Sequence, residues 1–206
     1  MSARDRILAR IAGTLERRKR AEHPGPFAGA RPDPSPPPLD GFEAMFRKAG
    51  GEVVRLPGES DVRRWLGTLN GVASATLGAA ISPELAGELP QAEAKKADLG
   101  ISRARAAIAE TGTLVLFSSD GRSSQLLPPT HVVLVDADDV YPTLNAALAE
   151  IRTELPAAVG LHSGTSKSAD IGQVMVEGVH GPGRVIALVL GADRAPGGPG
   201  DRHPPT

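Results

Sequence analysis

The chain has 206 residues, 40% of them hydrophobic and 23% charged, with a formal net charge of −1. That length and apolar content suit one substantial soluble domain, and the near-zero charge selects neither nucleic acid nor an anionic membrane as a partner. With no Cys, the sequence holds no disulfide, no thiol nucleophile and no Cys-ligated zinc or iron–sulfur cluster.

The N-terminal stretch MSARDRILARIAG is charged and lacks a continuous apolar core, so it is not read as a signal peptide. No apolar run approaches the length of a membrane span, and a cytoplasmic location is expected. One Trp and one Tyr argue against a base-stacking nucleic-acid platform.

In chain order, residues 1–22 read as an amphipathic helix with Ile7, Leu8, Ile11 and Leu15 on one face and a basic end at Arg17–Arg20. Residues 23–38 carry seven prolines and form an extended linker. An α/β domain is expected over 39–191, and the Gly- and Pro-rich tail, 192–206, is expected to be disordered. Within the domain, Phe42–Ala49 predicts a helix stopped by Gly50-Gly51. Val53–Leu56 predicts a strand, Asp61–Leu69 a helix and Val72–Leu77 a strand. The Ala-rich stretch Glu84–Glu110 predicts helix broken at Pro90 and Gly100. Thr113–Phe117 and His131–Val135 are apolar, β-favouring runs, and Ser118–Ser124 between them is a turn. Val140–Leu155 predicts an amphipathic helix, and Ala158–His162 and Val185–Leu190 the remaining strands. This alternation implies a mainly parallel sheet flanked by helices.

The segment Ser163–Pro182, SGTSKSADIGQVMVEGVHGP, is the richest in candidate chemistry. The apolar spacing of Ile171, Val174, Met175 and Val179 predicts a short helix after the polar loop, whose free N–H groups favour an anion. Ser163, Gly164, Thr165, Ser166, Lys167 and Ser168 would form an anion nest. A Walker A loop would need Gly where Ser166 and Leu161 stand, so a P-loop is excluded. A capped helix entry explains the same hydroxyls equally well. Asp170 and Glu177, seven apart, would share a helix face and are candidates for proton transfer, although a first-turn or surface role explains them too. His180 lies in a sharp turn before a strand and is a candidate acid–base group or anchor. His162, Asp170 and His180 match no recognised zinc spacing, and no metal site is expected. Glu110, Thr111 and Gly112 stand just before a buried strand, where they could face a ligand or simply cap and turn. Neither a nucleophile elbow nor a dinucleotide fingerprint is present.

Two blocks carry a family resemblance: AIAETGTLVLFSSDGRSSQLLPPTHVVLVD and SGTSKSADIGQVMVEGVHGPGRVIALVLGAD. Together they resemble the LUD domain of the lactate utilisation protein C family, over roughly Asp40–Leu190. The resemblance implies the α/β fold shared by ribose-5-phosphate isomerases, glucosamine-6-phosphate deaminases and CoA transferases. It also implies work alongside iron–sulfur proteins in oxidising lactate to pyruvate, with the clusters in the partners and no cofactor in this chain. By position, Glu110-Thr111-Gly112 matches one family motif, Ser163–Ile171 a second and Gly178–Pro182 a third. Two departures stand out. Gly172 occupies a commonly acidic position, and Lys167 replaces the commoner Arg, losing its bidentate fork.

The expectation is therefore an accessory component of an L-lactate, or related 2-hydroxy acid, oxidation system. Glu110, Asp170 and His180 would act on or orient a small carboxylate or phosphate ligand held by Thr111, Gly112 and Ser163–Ser168. The N-terminal helix would dock on an iron–sulfur partner. The alternatives are a stand-alone isomerase or CoA-transferase-like enzyme, with Glu110 as nucleophile or base, and a non-catalytic metabolite-binding module.

Overall fold

The computed structural model describes residues 2–17, 38–169, 175–178 and 180–192. The chain divides into two units, Met1–Arg31 and Pro32–Thr206. The first contains helix α1 (Ala3–Arg17). Its start is fixed by a reciprocal cap: the Ser2 N–H donates to Asp5 Oδ2 at 2.9 Å and the Asp5 N–H to Ser2 Oγ at 3.2 Å. Ile7, Leu8 and Ile11 on its apolar stripe are exposed.

The second unit opens with α2 (Pro38–Lys48), β1 (Glu52–Leu56), α3 (Ser60–Leu66), β2 (Ala75–Leu77) and α4 (Pro83–Ala86). It continues with β3 (Leu99–Arg103), β4 (Ala106–Ile108), β5 (Thr113–Phe117), α5 (Arg122–Leu126), β6 (Thr130–Asp136), β7 (Val140–Tyr141) and α6 (Leu144–Ile151). It closes with β8 (Val159–His162), β9 (Lys167–Ala169), β10 (Met175–Glu177) and β11 (Arg184–Leu190). The central sheet has the order β1-β11-β6-β3-β2, and every pairing in it is parallel. A sheet covered on both faces needs apolar residues in both directions, and β6 supplies them. Val132 and Leu134 enter a core under α3 and α4, while Val133 and Val135 enter one shared with α2. In that second core Phe42 and Phe46 stack at 5.3 Å and are fully buried. Each such ring contributes about 2–3 kcal/mol by burial.

A second sheet, β7-β4-β5-β8, lies beyond that core, with β5 antiparallel to both its neighbours. Its Leu114 and Leu116 face the core of α2 and the central sheet, while Val115 faces α6. The parallel sheet flanked by helices is as expected, but this mixed second sheet is an addition to it.

Three sequence expectations are corrected. Glu84–Glu110 is not helical beyond the short α4: it forms β3 and β4, and Ala97, Ala104, Ala106, Ala107 and Ala109 in and beside them pack inside. Helix propensity is a weak prior against such burial, and at Gly100 a side chain would overlap the Ser124 carbonyl, so β3 lies tight under α5. The helix expected from Val140 starts at Leu144, because β7 and Pro142 come first and Thr143 Oγ1 caps it by accepting the Ala146 N–H at 3.1 Å. The helix expected after the Ser163 loop is replaced by an antiparallel hairpin pairing Lys167 with Glu177 and Ala169 with Met175. Glu177 therefore lies on a strand, and no helix N-terminus follows the Ser163–Ser168 loop directly. Asp170, Gly172, most of the linker and nearly all of the tail lie outside the described residues. No described helix is long and apolar enough to cross a membrane.

Candidate functional site

The two motifs singled out in the sequence meet. Thr111 and Thr113 share a hydroxyl hydrogen bond of 2.7 Å, and Thr113 joins Ser163 at 2.6 Å, linking β5 to the loop after β8. The C-terminal turn of α2 wedges between the motifs. A Cβ at Gly112 (φ +60°) would overlap the Phe46 backbone nitrogen, and one at Gly164 (φ +73°) the Ala49 carbonyl. Both glycines are thus explained by close approach and by a left-handed backbone that disfavours side chains. Lys167 Nζ donates to the Ala49 carbonyl at 2.8 Å, satisfying an orphan acceptor where the helix dipole is negative.

The remaining candidates are similarly engaged. Glu110 is exposed, and its Oε1 accepts the Leu144 N–H at 2.8 Å, which places a carboxylate on the positive end of α6. Ser166 hydrogen-bonds through its backbone to Pro182 and Gly178, closing the turn that carries exposed His180. Thr165 Oγ1 is buried without a protein partner. Ser168 pairs with Val176 in the hairpin. The turn ends at β11, whose first residue, Arg184, is in register with Thr130, the first of β6. The described parts of the Ser163–Pro182 segment therefore sit at the amino ends of the parallel strands.

Beneath this loop runs a buried polar seam between the two sheets. His131 of β6 hydrogen-bonds Ser102 of β3 at 3.0 Å and meets His162 of β8 edge-to-face, with ring centroids 6.2 Å apart. Burial first, and then the neighbouring His162, lowers the His131 pKa to about 3; burial also lowers that of His162. His131 is thus neutral at ordinary pH. Its Nδ1 has no protein partner.

The opposite end of the sheet holds residues that the sequence reading did not single out. β2, β3 and β6 end side by side, and beyond them opens a cleft of about 360 Å³ lined by Ala80, Arg103, Phe117, Ser119, Asp120 and Asp136 among others. Asp120 is 6% exposed; its Oδ1 accepts the Ala80 N–H at 2.6 Å and its Oδ2 the Arg103 N–H at 3.2 Å. Burial raises its pKa from the ordinary carboxylate value, against the two N–H donors and the Arg103 charge. At Gly78 a Cβ would come within 2.5 Å of Asp120 Oδ2, so glycine there leaves room for the carboxylate. Arg103 pairs with Glu59 and, at 3.3 Å, with Asp136. These residues were missed because β3 was read as helix, which hid Arg103's place at a strand end, and because Asp120 fell in a segment read as a plain turn. No described group of three or more His, Asp or Glu residues could hold a metal ion.

The family model for the LUD domain matches residues 77–190, from the end of β2 through β11. The chain belongs to the LUD domain family. This LUD domain is 40% identical to lactate utilization protein C 1 of Bacillus mycoides over 105 residues, which cover 47% of the chain and 45% of that relative. It is 38% identical to lactate utilization protein C of Bacillus subtilis over 110 residues, 50% of the chain and 45% of the relative. An uncharacterized protein of Neisseria meningitidis is 41% identical over 98 residues, 45% of the chain and 42% of that protein. These matches span less than half the length of each relative. The crystal structure of a DUF162 family protein from Deinococcus radiodurans superposes with a TM-score of 0.59 at 20% identity, covering 75% of this chain and 96% of that one. It supports the α/β fold. Both sheet ends described above fall largely within the LUD match.

Proposed function

We propose that this LUD domain protein is a cytoplasmic accessory component of a lactate (2-hydroxy acid) oxidation system, acting with iron–sulfur partner proteins. The observation that carries the reading is the 38–40% identity to proteins named for lactate utilisation, together with the LUD family match over residues 77–190, which holds both motif blocks. The chain's own contribution would be binding and orientation. With no Cys in its 206 residues, the electron-carrying clusters would reside in the partners. Its ligand would be a small carboxylate, and α1, with Ile7, Leu8 and Ile11 exposed, would be the element offered to a partner.

Two measurements test this. Affinity purification of the tagged full chain from its native cells should recover a Cys-rich iron–sulfur protein, and deletion of residues 1–37 should reduce that recovery. Recovery of no such protein would remove the accessory role, and recovery unchanged by the deletion would remove α1 from it. In a thermal-shift panel, lactate or pyruvate should stabilise the chain, by about 2.7 kcal/mol at a hundredfold excess over Kd. Stabilisation by CoA or sugar phosphates instead would favour an independent enzyme.

A further inference from the structure

Open parallel sheets hold ligands in the crevice beyond the carboxyl ends of their strands, where loops diverge and no side chain is needed for the sheet itself. The cleft beyond β2, β3 and β6 occupies that position. We infer that it is the binding site for a small hydroxylated carboxylate, with the ligand carboxylate on Arg103 and its hydroxyls on Asp120 and Asp136. The inference rests on the 2-hydroxy acid reading given above and assigns it a site.

Preorganisation supports it. Asp120 is held by two backbone N–H groups, one from the turn after β2 and one at the end of β3, so its carboxyl group is fixed before any ligand arrives. The lone pairs left on its two oxygens can accept from a ligand hydroxyl. Arg103 is only partly covered, with 26% of its side chain exposed, and its partners Glu59 and Asp136 are half-exposed. Exposed pairs of this kind are worth about 1 kcal/mol or less. A ligand carboxylate can replace Asp136 on the guanidinium with better, bidentate geometry. Asp136 is then released to accept a hydroxyl.

Charge and size narrow the ligand. Asp120, Asp136 and Asp139 outnumber Arg103 and Arg105 around the cleft, and Arg105 is paired with Glu154, so the lining offers Arg103 to a single carboxylate and several acceptors to hydroxyl donors. The cleft's 360 Å³ exceeds what a three-carbon acid fills, leaving room for further hydroxylated carbons along Phe117. A larger groove, about 520 Å³, lies between α3 and α4, but it is away from the sheet's strand ends. Of its charged residues Arg63, Arg64 and Glu88, Arg64 is already paired with Asp61.

The test is calorimetric titration of the full chain with L-lactate, D-glycerate and gluconate. Saturable binding is expected, tightest for a polyhydroxylated acid. Arg103→Met and Asp120→Asn should each weaken it about tenfold or more, and Arg103→Lys, which keeps charge but not the fork, should fall between. Melting curves of the ligand-free variants separate lost binding from lost folding; if Asp120→Asn does not fold, half-exposed Asp136→Asn takes its place. Binding unchanged in folded Arg103→Met but abolished by Lys167→Met would overturn the assignment while leaving the functional reading in place. No saturation by any of the three acids would overturn both.

Discussion

At the amino ends of the parallel strands the polar side chains are turned onto the protein's own backbone and hydroxyls, whereas at the carboxyl ends hydrogen-bonded side chains also border open space. Lys167 terminates α2, Glu110 caps α6, and Ser163 joins Thr113. Asp120 and Arg103 are also hydrogen-bonded, yet they border a cleft. A sequence dense in Gly, Ser and Lys thus marks close packing as readily as a ligand. In this chain both dense motifs surround one helix end, the turn at Ala49 that Gly112 and Gly164 admit. The residues facing the cleft are scattered over three strand ends and make no motif at all.

Substitutions at the two ends can sharpen or break this contrast. The largest effect is expected at Gly112→Ala, where the new Cβ would meet the Phe46 backbone in a left-handed conformation. A loss of about 3 kcal/mol or more follows from overpacking plus backbone strain. Gly78→Ala at the other end meets a carboxylate, not a backbone, and should cost about 1–3 kcal/mol. Urea unfolding of the two variants ranks them. A tolerated Gly112→Ala would mean that α2 does not dictate the amino end.

Acidification gives the next effect. His131 binds its proton with a pKa near 6.5 when unfolded and about 3 when folded, so the unfolded state holds more protons between these values. Stability should therefore fall as pH drops through that window, by about 1.4 kcal/mol per pH unit from this group. His162, lowered by burial, acts in the same direction. His131→Gln should flatten the loss between pH 7 and pH 5 by about 2 kcal/mol. An unchanged slope would show that the seam between the sheets is not buried as described.

Smaller effects are expected from the caps. Lys167→Met should cost about 1 kcal/mol or less, the scale of a cation at a helix C-terminus. Glu110→Gln should cost about 0.5 kcal/mol, and added salt should shrink the difference from the parent. A Glu110→Gln variant with native stability but a deep loss of substrate turnover would return that carboxylate to a catalytic role.

Much of the fold was legible because its strands are apolar on both faces. Thr113–Phe117, His131–Val135 and Val185–Leu190 read as buried strands, and each is one. The stretch around β3 and β4 was not legible, since alanines that pack at a sheet interface have the composition of a helix. The Met175–Glu177 strand was hidden for a related reason. Val174, Met175 and Val179 satisfy a helical spacing, and only the cross-strand partners Lys167–Ala169 decide otherwise. At the candidate site the meeting of the two motifs was legible. That their side chains would cap helices was not, because α2 and α6 are remote in sequence from Lys167 and Glu110.

The division of labour between the two sheet ends is tested most directly by amide chemical-shift mapping of the full chain titrated with D-glycerate. Saturable shifts should cluster at Ala79–Ala80, Arg103–Arg105, Ser119–Asp120 and Asp136–Asp139. Shifts confined to Ser163–Gly183 and Glu110–Gly112, with the cleft silent, would contradict the account.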